Sequence, residues 1–299
     1  MKPWCNSILS LAFICLTVLN ACDKEQEPVP AYIHIKHFTF SSNTGQGLNT
    51  SDITSVKVFV NGSELGNYEL PATLPVIAEG KCAIMLLPNI KENALSSNQK
   101  YFKPYTPYYD TVLLEKGLID TIQPSSTYRS NTTFKWLEDF EDQTISTIPS
   151  GSNNVKDSFI CISTTTPGVN QPFIGSKYCG FIRCKSDSFL VFERCNLNSF
   201  NDLPFLGTDV YVELDIKCNV AFQVGVYTYP NGIDIDQNPV MVINPTNGVW
   251  KKIYVNLKPQ IGDLKAGTAL RLFFGFYKDK GDTEEKFVYL DNLKLVYVN

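Results

Sequence analysis

The chain has 299 residues, of which 43% are hydrophobic and 19% are charged, a balance that favours folded cores over a disordered protein. Its net charge of −4 provides no basic excess for a phosphate backbone, so nucleic acid is not an expected partner. The two histidines, His34 and His37, lie close together, which argues against a catalytic triad or a histidine-rich metal site elsewhere.

The first 21 residues predict a lipoprotein signal peptide. Lys2 precedes a mostly apolar run over residues 8–19, which is too short to span a bilayer. Residues 19–22, Leu19-Asn20-Ala21-Cys22, resemble a bacterial lipobox. That resemblance implies cleavage after residue 21 and a covalent lipid on Cys22, which would anchor the chain without a transmembrane helix. An ordinary signal peptide followed by an incidental cysteine is the alternative.

Residues 22–31 predict an extended tether, because they are polar, acidic and interrupted by prolines. The segment resembles the acidic export tags of surface lipoproteins in Bacteroidota. This implies an outer-membrane protein at the cell surface, although a periplasmic location stays open. A plain linker fits the same composition, and Asp23 directly after the cysteine leaves inner-membrane retention as a further alternative.

Six cysteines follow the tether, and they favour buried thiols over metal binding. None of them forms a C-x-x-C pair or has a histidine nearby, which argues against zinc. One disulfide in the second half of the chain is the alternative, since the compartment is oxidising. The six are Cys82, Cys161, Cys179, Cys184, Cys195 and Cys218.

Residues 32–125 predict a small β-sandwich of immunoglobulin-like size. Val56, Val58 and Val60 alternate with other residues and precede Asn61-Gly62, a pattern typical of a β-hairpin. The aromatic segment 100–109 contains four tyrosines and two prolines. It predicts a loop that contacts either a partner or its own domain.

Residues 126–299 predict a β jelly roll, so the whole chain is expected to be all-β. Apolar residues alternate with other residues over 211–217, 222–227 and 270–277, as in strands with one face in a core. Strands of this length and spacing suit two packed sheets.

Two short motifs give this second domain a family resemblance. Residues 136–142 read Trp-Leu-Glu-Asp-Phe-Glu-Asp, and residues 287–295 end in Tyr-Leu-Asp-Asn-Leu-Lys-Leu. They resemble the opening and closing strands of carbohydrate-binding, galactose-binding-like jelly rolls. Together with the lipobox and the first domain, they resemble envelope lipoproteins of Bacteroidota. Some of those proteins capture sugars, and others are accessory subunits of outer-membrane barrel complexes.

Carboxylates in these two strands suggest a structural calcium site. The opening and closing strands are often neighbours in such jelly rolls, and Ca²⁺ takes six to eight oxygen ligands. The candidate ligands are Glu138, Glu141 and Asp291. The alternative is a solvated acidic edge.

The faces of two strands opposite the predicted core carry the candidate binding residues. They are Gln223, Tyr227, Tyr229, Arg271, Phe273 and Tyr277. Aromatic rings beside polar side chains suit a sugar, but they suit a protein partner equally well. Burial under another part of the chain is the third alternative.

The sequence therefore favours a non-enzymatic, lipid-anchored envelope protein. Its predicted function is that of an accessory subunit that binds an outer-membrane β-barrel or other lipoproteins. The alternative is a surface glycan-binding lipoprotein. The chain has no G-x-S-x-G, phosphate-loop or H-E-x-x-H motif, so no catalytic residues are expected. A hydrolase would need two carboxylates facing each other across a cleft.

Overall fold

The computed structural model describes residues 28–151, 153–154, 159–163, 165–166, 175–185, 189–204, 207–229 and 235–299. The predicted signal peptide (1–21) and the predicted lipidation site Cys22 lie outside these residues. Among the described residues, no helix has the length and apolar character needed to cross a membrane.

The first domain is a β-sandwich. Its strands are β1 (Ala31–Ile35), β2 (Thr39–Ser41), β3 (Ile53–Val60), β4 (Ser63–Glu69), β5 (Ala72–Val76), β6 (Gly80–Lys91), β7 (Gln99–Tyr101), β8 (Tyr108–Leu114), β9 (Ile119–Ile122) and β10 (Ser125–Thr127). One sheet has the order β5-β1-β9, and the other has the order β4-β3-β6, with β7 and β8 both pairing along β6. A third, two-stranded sheet is formed by β2 and β10, which run parallel. The immunoglobulin-like character of this sandwich stays a prediction.

The predicted hairpin after β3 is confirmed. Val56, Val58 and Val60 are buried in the core between the two sheets. Asn61 and Gly62 have φ values of 50° and 81°, the left-handed conformation that tight two-residue hairpin turns require. The chain then returns as β4, paired with β3.

The second domain is a larger two-sheet sandwich. Its elements are β11 (Thr132–Glu138), β12 (Thr147–Pro149), β13 (Ile160–Ser163), β14 (Tyr178–Cys184), β15 (Leu190–Asn196), β16 (Val210–Cys218), β17 (Phe222–Tyr229), β18 (Asp236–Ile243), β19 (Lys251–Asn256), α1 (Lys258–Ile261), β20 (Ala269–Lys278) and β21 (Lys286–Val298). These elements confirm the all-β prediction. The domain boundary was predicted after residue 125, whereas β10 still pairs with β2 and the second domain's first strand begins at Thr132.

We name the two sheets of the second domain by their position. The junction sheet has the order β13-β14-β21-β16-β19, with β11 pairing further along β21. The distal sheet has the order β12-β15-β20-β17-β18. A single apolar core fills the space between them. The distal sheet therefore lies on the side of this core opposite the junction sheet.

Both faces of β16 are buried, although its alternating sequence indicates only one core face. Val212, Leu214 and Ile216 face the core between the sheets. Glu213 and Asp215, on the opposite face, are only 0% and 5% exposed. They are buried because the first domain packs on this surface of the junction sheet.

Aromatic side chains form much of the contact between the domains. Phe102 lies 4.9 Å from Tyr211 and 4.9 Å from Tyr254 between ring centroids. Tyr105 lies 5.2 Å from Tyr128, and the hydroxyls of Tyr105 and Tyr254 are 3.0 Å apart. The aromatic segment 100–109 thus contacts the second domain, through residues that include the fully buried Phe102 and Tyr105.

Buried charged groups complete this interface. The Tyr128 hydroxyl donates to Glu213 at 2.7 Å, and the ammonium of Lys294 donates to the same tyrosine oxygen at 3.1 Å. Lys252 pairs with Glu213 at 3.1 Å. Burial, together with the nearby ammonium of Lys252, lowers the pKa of Lys294 to about 8. Because each buried charge depends on a partner, removing one partner is costly.

A second polar contact joins the domains near the ends of β6 and β19. Glu92 accepts hydrogen bonds from Tyr211 at 2.7 Å, from Asn256 at 2.8 Å and from Lys100 at 3.2 Å. Lys100 also reaches Asp209 at 3.2 Å. The relative placement of the two domains is therefore fixed by specific polar contacts at several points.

The six cysteines after the tether are all unpaired thiols. Five are buried and Cys161 is half-buried. Their role as small apolar side chains agrees with this burial, and the alternative of one disulfide is not seen.

We predict that Tyr128→Phe destabilises the protein. The change removes a donor from Glu213 and an acceptor from Lys294, so two buried charges each lose a partner. The expected loss is about 1–3 kcal/mol in the free energy of unfolding, measured by urea denaturation. The control is Tyr109→Phe, at a side chain that is 68% exposed, and it should leave the midpoint unchanged. Equal midpoints for Tyr128→Phe and the wild type would contradict this account of the interface.

Candidate functional site

The outer surface of the distal sheet brings several of the predicted binding residues together. β17 and β20 are antiparallel neighbours, with Tyr227 opposite Arg271 and Gly225 opposite Phe273. Tyr229 follows on the same face of β17, two residues beyond Tyr227. This register follows from the period of two in a strand, which the sequence pattern displays.

A cleft of about 390 Å³ opens on this surface, and we call it the distal cleft. Residues from β12, β15, β17, β18 and β20, with neighbouring loop residues, line it. They are Ile148, Pro149, Ser150, Gly151, Cys195, Tyr227, Tyr229, Ile235, Gln237 and Arg271.

Glu193 organises the polar floor of the distal cleft. This side chain is only 2% exposed, and it accepts hydrogen bonds from the hydroxyls of Ser150 and Tyr227. Gln237 donates to its other carboxylate oxygen at 2.8 Å. Burial and the hydrogen bond to Glu193 raise the pKa of Tyr227. The tyrosine hydroxyl and the amide are therefore held in place before any ligand arrives.

Phe273 supports the cleft from below and does not line it. Its ring is fully buried and lies 4.8 Å from the ring of Tyr227. The ring occupies the space above Gly225, where an added Cβ would come within 2.4 Å of it. The sequence placed Phe273 on the correct face of β20, but it could not show that the glycine opposite leaves room for the ring.

Two other predicted residues lie outside the distal cleft. Tyr277 is 50% exposed and pairs with Val191, away from the lining residues. Gln223 is half-buried opposite Gly275. Neither belongs to the lining, so the structure gathers Tyr227, Tyr229 and Arg271 out of the six predicted positions.

Arg271 carries the positive charge of the distal cleft. Within the described part of the chain, its buried Nε atom has no hydrogen-bond partner. Burial raises the pKa of the neighbouring Cys195 thiol, and Arg271 opposes that shift. The guanidinium thus brings a positive charge to the lining of the cleft, and its Nε atom is buried beneath that surface.

Sequence reasoning did not find Glu193 and Gln237. Glu193 lies between Phe192 and Arg194 in a strand whose alternation is weak, and Gln237 opens β18 without a clear period of two. Only the pairing of β15, β20, β17 and β18 in one sheet brings their side chains together.

The three predicted calcium ligands accept hydrogen bonds from other groups of the protein. Glu138 accepts from the backbone N–H groups of Phe140 and Ser146, and Glu141 accepts from the N–H group of Lys177 at 2.8 Å. Across the described ranges, no group of three or more histidine, cysteine or acidic side chains has a metal-binding arrangement. In this arrangement the three residues do not form a calcium site. Calcium binding by the protein stays a prediction.

Asp291 differs from the other two acids because it is deeply buried. Its carboxylate accepts from the Ser176 hydroxyl and from the N–H group of Asn292 at 2.7 Å. Burial, with the nearby carboxylates of Asp215 and Glu141, raises the pKa of Asp291 to about 8. The group is therefore mostly protonated at neutral pH.

Comparisons with known proteins find distant structural likenesses only. No protein-family model matches the sequence, and no curated protein matches it significantly. A solved structure of carbohydrate-binding modules from the β-sandwich superfamily matches 90% of this chain and 99% of its own, at 13% identity and a TM-score of 0.39.

Two further matches are of the same kind. A xylan-binding domain from Paenibacillus barcinonensis matches 57% of this chain and 98% of its own, at 12% identity and a TM-score of 0.39. A module specific for non-crystalline cellulose matches 52% of this chain and 91% of its own, at 17% identity and a TM-score of 0.36. These likenesses are too distant to carry an argument about function.

We predict that Asp291→Asn changes how stability depends on pH. The unfolded carboxyl has a pKa near 3.8 and the folded one a pKa of about 8. The contribution of this carboxyl to the free energy of unfolding is therefore largest below about pH 4, and it is lost as the pH rises towards 8. The asparagine variant cannot ionise, so it should be more stable than the wild type at pH 7, by about 1–3 kcal/mol. Urea denaturation at pH 5, 6, 7 and 8 measures this difference.

Thermal unfolding of the same two proteins, with and without a chelator, tests the calcium prediction. A bound cation would favour the ionised carboxylate, so a chelator would lower the unfolding temperature of the wild type and leave Asp291→Asn unaffected. No response to the chelator would contradict calcium binding. Parallel pH profiles for the two proteins would contradict the raised pKa.

Proposed function

We propose that this chain is a non-enzymatic carbohydrate-binding protein and that the distal cleft holds the sugar. The observation that carries the proposal is the combination of Tyr229, Arg271 and Gln237 around one cleft on the outer sheet surface. The proposal rests on the chemistry of these side chains, because the structural matches are too distant to support it.

The lining of the cleft matches what a sugar ring requires. The C–H faces of a pyranose pack against aromatic and aliphatic surfaces, here the half-buried Tyr229 and the exposed Ile235. Sugar hydroxyls can accept from Arg271 and exchange hydrogen bonds with Gln237. Because Glu193 already fixes Gln237 and Tyr227, little side-chain freedom would be lost on binding.

The described part of the cleft supports binding and not hydrolysis. Glycosidases use two carboxyl groups that flank the scissile bond at a set separation. None of the described lining residues is acidic, and Glu193 beneath them already accepts hydrogen bonds from three side chains. We therefore assign no catalytic role to this carboxylate.

Substitutions in the cleft should weaken glycan binding selectively. A glycan array with the purified chain identifies a ligand, and isothermal titration calorimetry then measures its affinity. We expect Tyr229→Ala and Arg271→Ala each to weaken binding by about tenfold or more, that is by about 1.4 kcal/mol or more. Tyr277→Ala is the matched control, because this tyrosine lies on the same sheet face outside the cleft. Equal losses in all three variants, or the absence of any bound glycan, would contradict the proposal.

We also propose that Cys22 carries a covalent lipid that anchors the protein to the outer membrane, with the folded domains at the cell surface. The support is the lipobox-like sequence before Cys22 and the acidic tether after it. Two lipid chains or more are needed for stable anchoring by acyl groups alone, and lipoprotein processing supplies them in this interpretation.

A second candidate function, an accessory subunit of an outer-membrane complex, is favoured by one surface of the first domain. Aliphatic side chains are exposed together where β1 begins and β5 ends. They are Val29, Ile77, Leu118 and Ile119, each 57–75% exposed. Backbone contacts hold them at one end: the N–H group of Tyr32 donates to the carbonyl of Leu118 at 2.8 Å, and Ala31 pairs with Val76. We call this surface the apolar end; patches of this kind mark contact sites.

One purification from native membranes tests the anchor and the partner together. The wild-type chain should stay with the membrane fraction and co-purify in mild detergent with an outer-membrane protein in stoichiometric amount. Cys22→Ser should shift the chain out of the membrane fraction. Leu118→Asp should keep the anchor but lose the partner, whereas Val242→Asp, at an exposed residue of the second domain, should lose neither. Membrane retention of Cys22→Ser would contradict the anchor, and recovery of the wild type alone would contradict the subunit function.

A further inference from the structure

A larger cleft lies between the two domains, on the side of the protein opposite the distal sheet. Its volume is about 620 Å³, and we call it the junction cleft. Its lining includes Phe38, Ser51, Asp52 and Lys91 of the first domain and Trp250 and Lys251 of the second. A neighbouring hollow of about 390 Å³ shares Phe38, Ser51, Asp52 and Lys91 with it. Clefts at domain interfaces are common ligand sites.

Two lysines from opposite domains face a partly buried acid in this cleft. Lys91 comes from the first domain and Lys251 from the second, and both lie close enough to Asp52 to lower its pKa. Burial outweighs them, so the pKa of Asp52 is raised overall. Among the described residues, neither lysine forms an ion pair within 4.0 Å. The cleft thus presents two ammonium groups that an anion could join.

A third lysine adds positive charge at the buried side of the cleft. Lys252 lines the junction cleft and is almost fully buried. Its ammonium lies 3.1 Å from Glu213 and 3.9 Å from Asp215, but among the described residues it has no hydrogen bond of good geometry. The nitrogen itself is buried, so Lys252 contributes positive charge to the cleft without contacting a ligand directly.

Aromatic and hydroxyl-bearing side chains complete the lining. Trp250 and Phe38 are half-buried, and Trp250 is braced by Tyr289 at 6.2 Å between ring centroids. Ser51 and Ser96 provide hydroxyl groups, and the carboxylates of Asp52 and Asp215 can accept hydrogen bonds. A simple anion would use the lysines but not these acceptors or the rings. A ring-shaped ligand with both hydroxyls and an acidic group would use all of them.

We propose that the junction cleft binds a carboxylated sugar of the uronic acid type. Its carboxylate lies between Lys91 and Lys251, its ring packs against Trp250, and its hydroxyls donate to the acidic side chains. The site differs from the distal cleft in place and in ligand charge. Experiments can therefore contradict the proposal for one cleft without contradicting the proposal for the other.

Titration of the purified chain with sodium D-glucuronate, D-galacturonate and D-mannuronate tests the proposal, with D-glucose and sodium acetate as reference ligands. We expect at least one uronate to bind about tenfold more tightly than glucose or acetate, and less tightly as salt is added. Lys91→Ala and Lys251→Ala should each weaken uronate binding about fivefold or more. Lys116→Ala, at an exposed lysine paired with Glu79, should have no effect, and Tyr229→Ala should have none either.

Three results would overturn the proposal: no uronate binds, glucose or acetate binds as well as the uronates, or binding survives both lysine substitutions. Loss of uronate binding in Tyr229→Ala would place the ligand in the distal cleft, which would also overturn the assignment to the junction. Both substituted lysines lie outside the buried ion network, and matched unfolding midpoints would show that the variants remain folded.

Discussion

The packing of the first domain against the junction sheet determines which surfaces of the second domain remain open. Tyr128, Glu213 and Lys294 form a buried chain of polar contacts across that interface, with aromatic rings around it. The first domain thereby covers the outer surface of the junction sheet. The outer surface of the distal sheet remains open. The same packing creates the junction cleft, since its walls come from both domains. Disrupting the interface between the domains should therefore affect the junction cleft more directly than the distal cleft.

The distal cleft shows how a flat sheet surface becomes a defined site. Gly225 has no side chain, so the ring of Phe273 can lie against the sheet and carry Tyr227. Glu193 then ties Tyr227 to Gln237 across neighbouring strands. These contacts position polar groups at the floor while Tyr229 remains accessible at the wall. The arrangement supports recognition of a polar ring by contacts that exist before binding.

Much of the fold was predictable because strand alternation and turn chemistry are local properties. The alternation in β16, β17 and β20 and the Asn61-Gly62 turn were both recognisable. What alternation cannot show is the environment of the second face. Glu213 and Asp215 look like solvent-facing residues of a strand, yet the first domain covers them. Likewise, the aromatic segment 100–109 was expected to contact a partner or its own domain, and it packs against the other domain.

The candidate site was predictable in part for the same reason. Placing Tyr227 and Arg271 on one face required only the period of two, whereas finding Glu193 and Gln237 required the order of strands in the sheet. Similarly, the placement of Glu138 and Glu141 near the opening strand and of Asp291 in the closing strand did not specify that protein N–H and O–H groups would occupy their oxygens.

The most direct test of the account is a crystal structure of the protein with the best neutral oligosaccharide ligand. The account predicts a sugar ring in the distal cleft, packed on Tyr229, with hydroxyls bonded to Arg271 and Gln237. A sugar bound on another surface, with the distal cleft empty of it, would contradict the account.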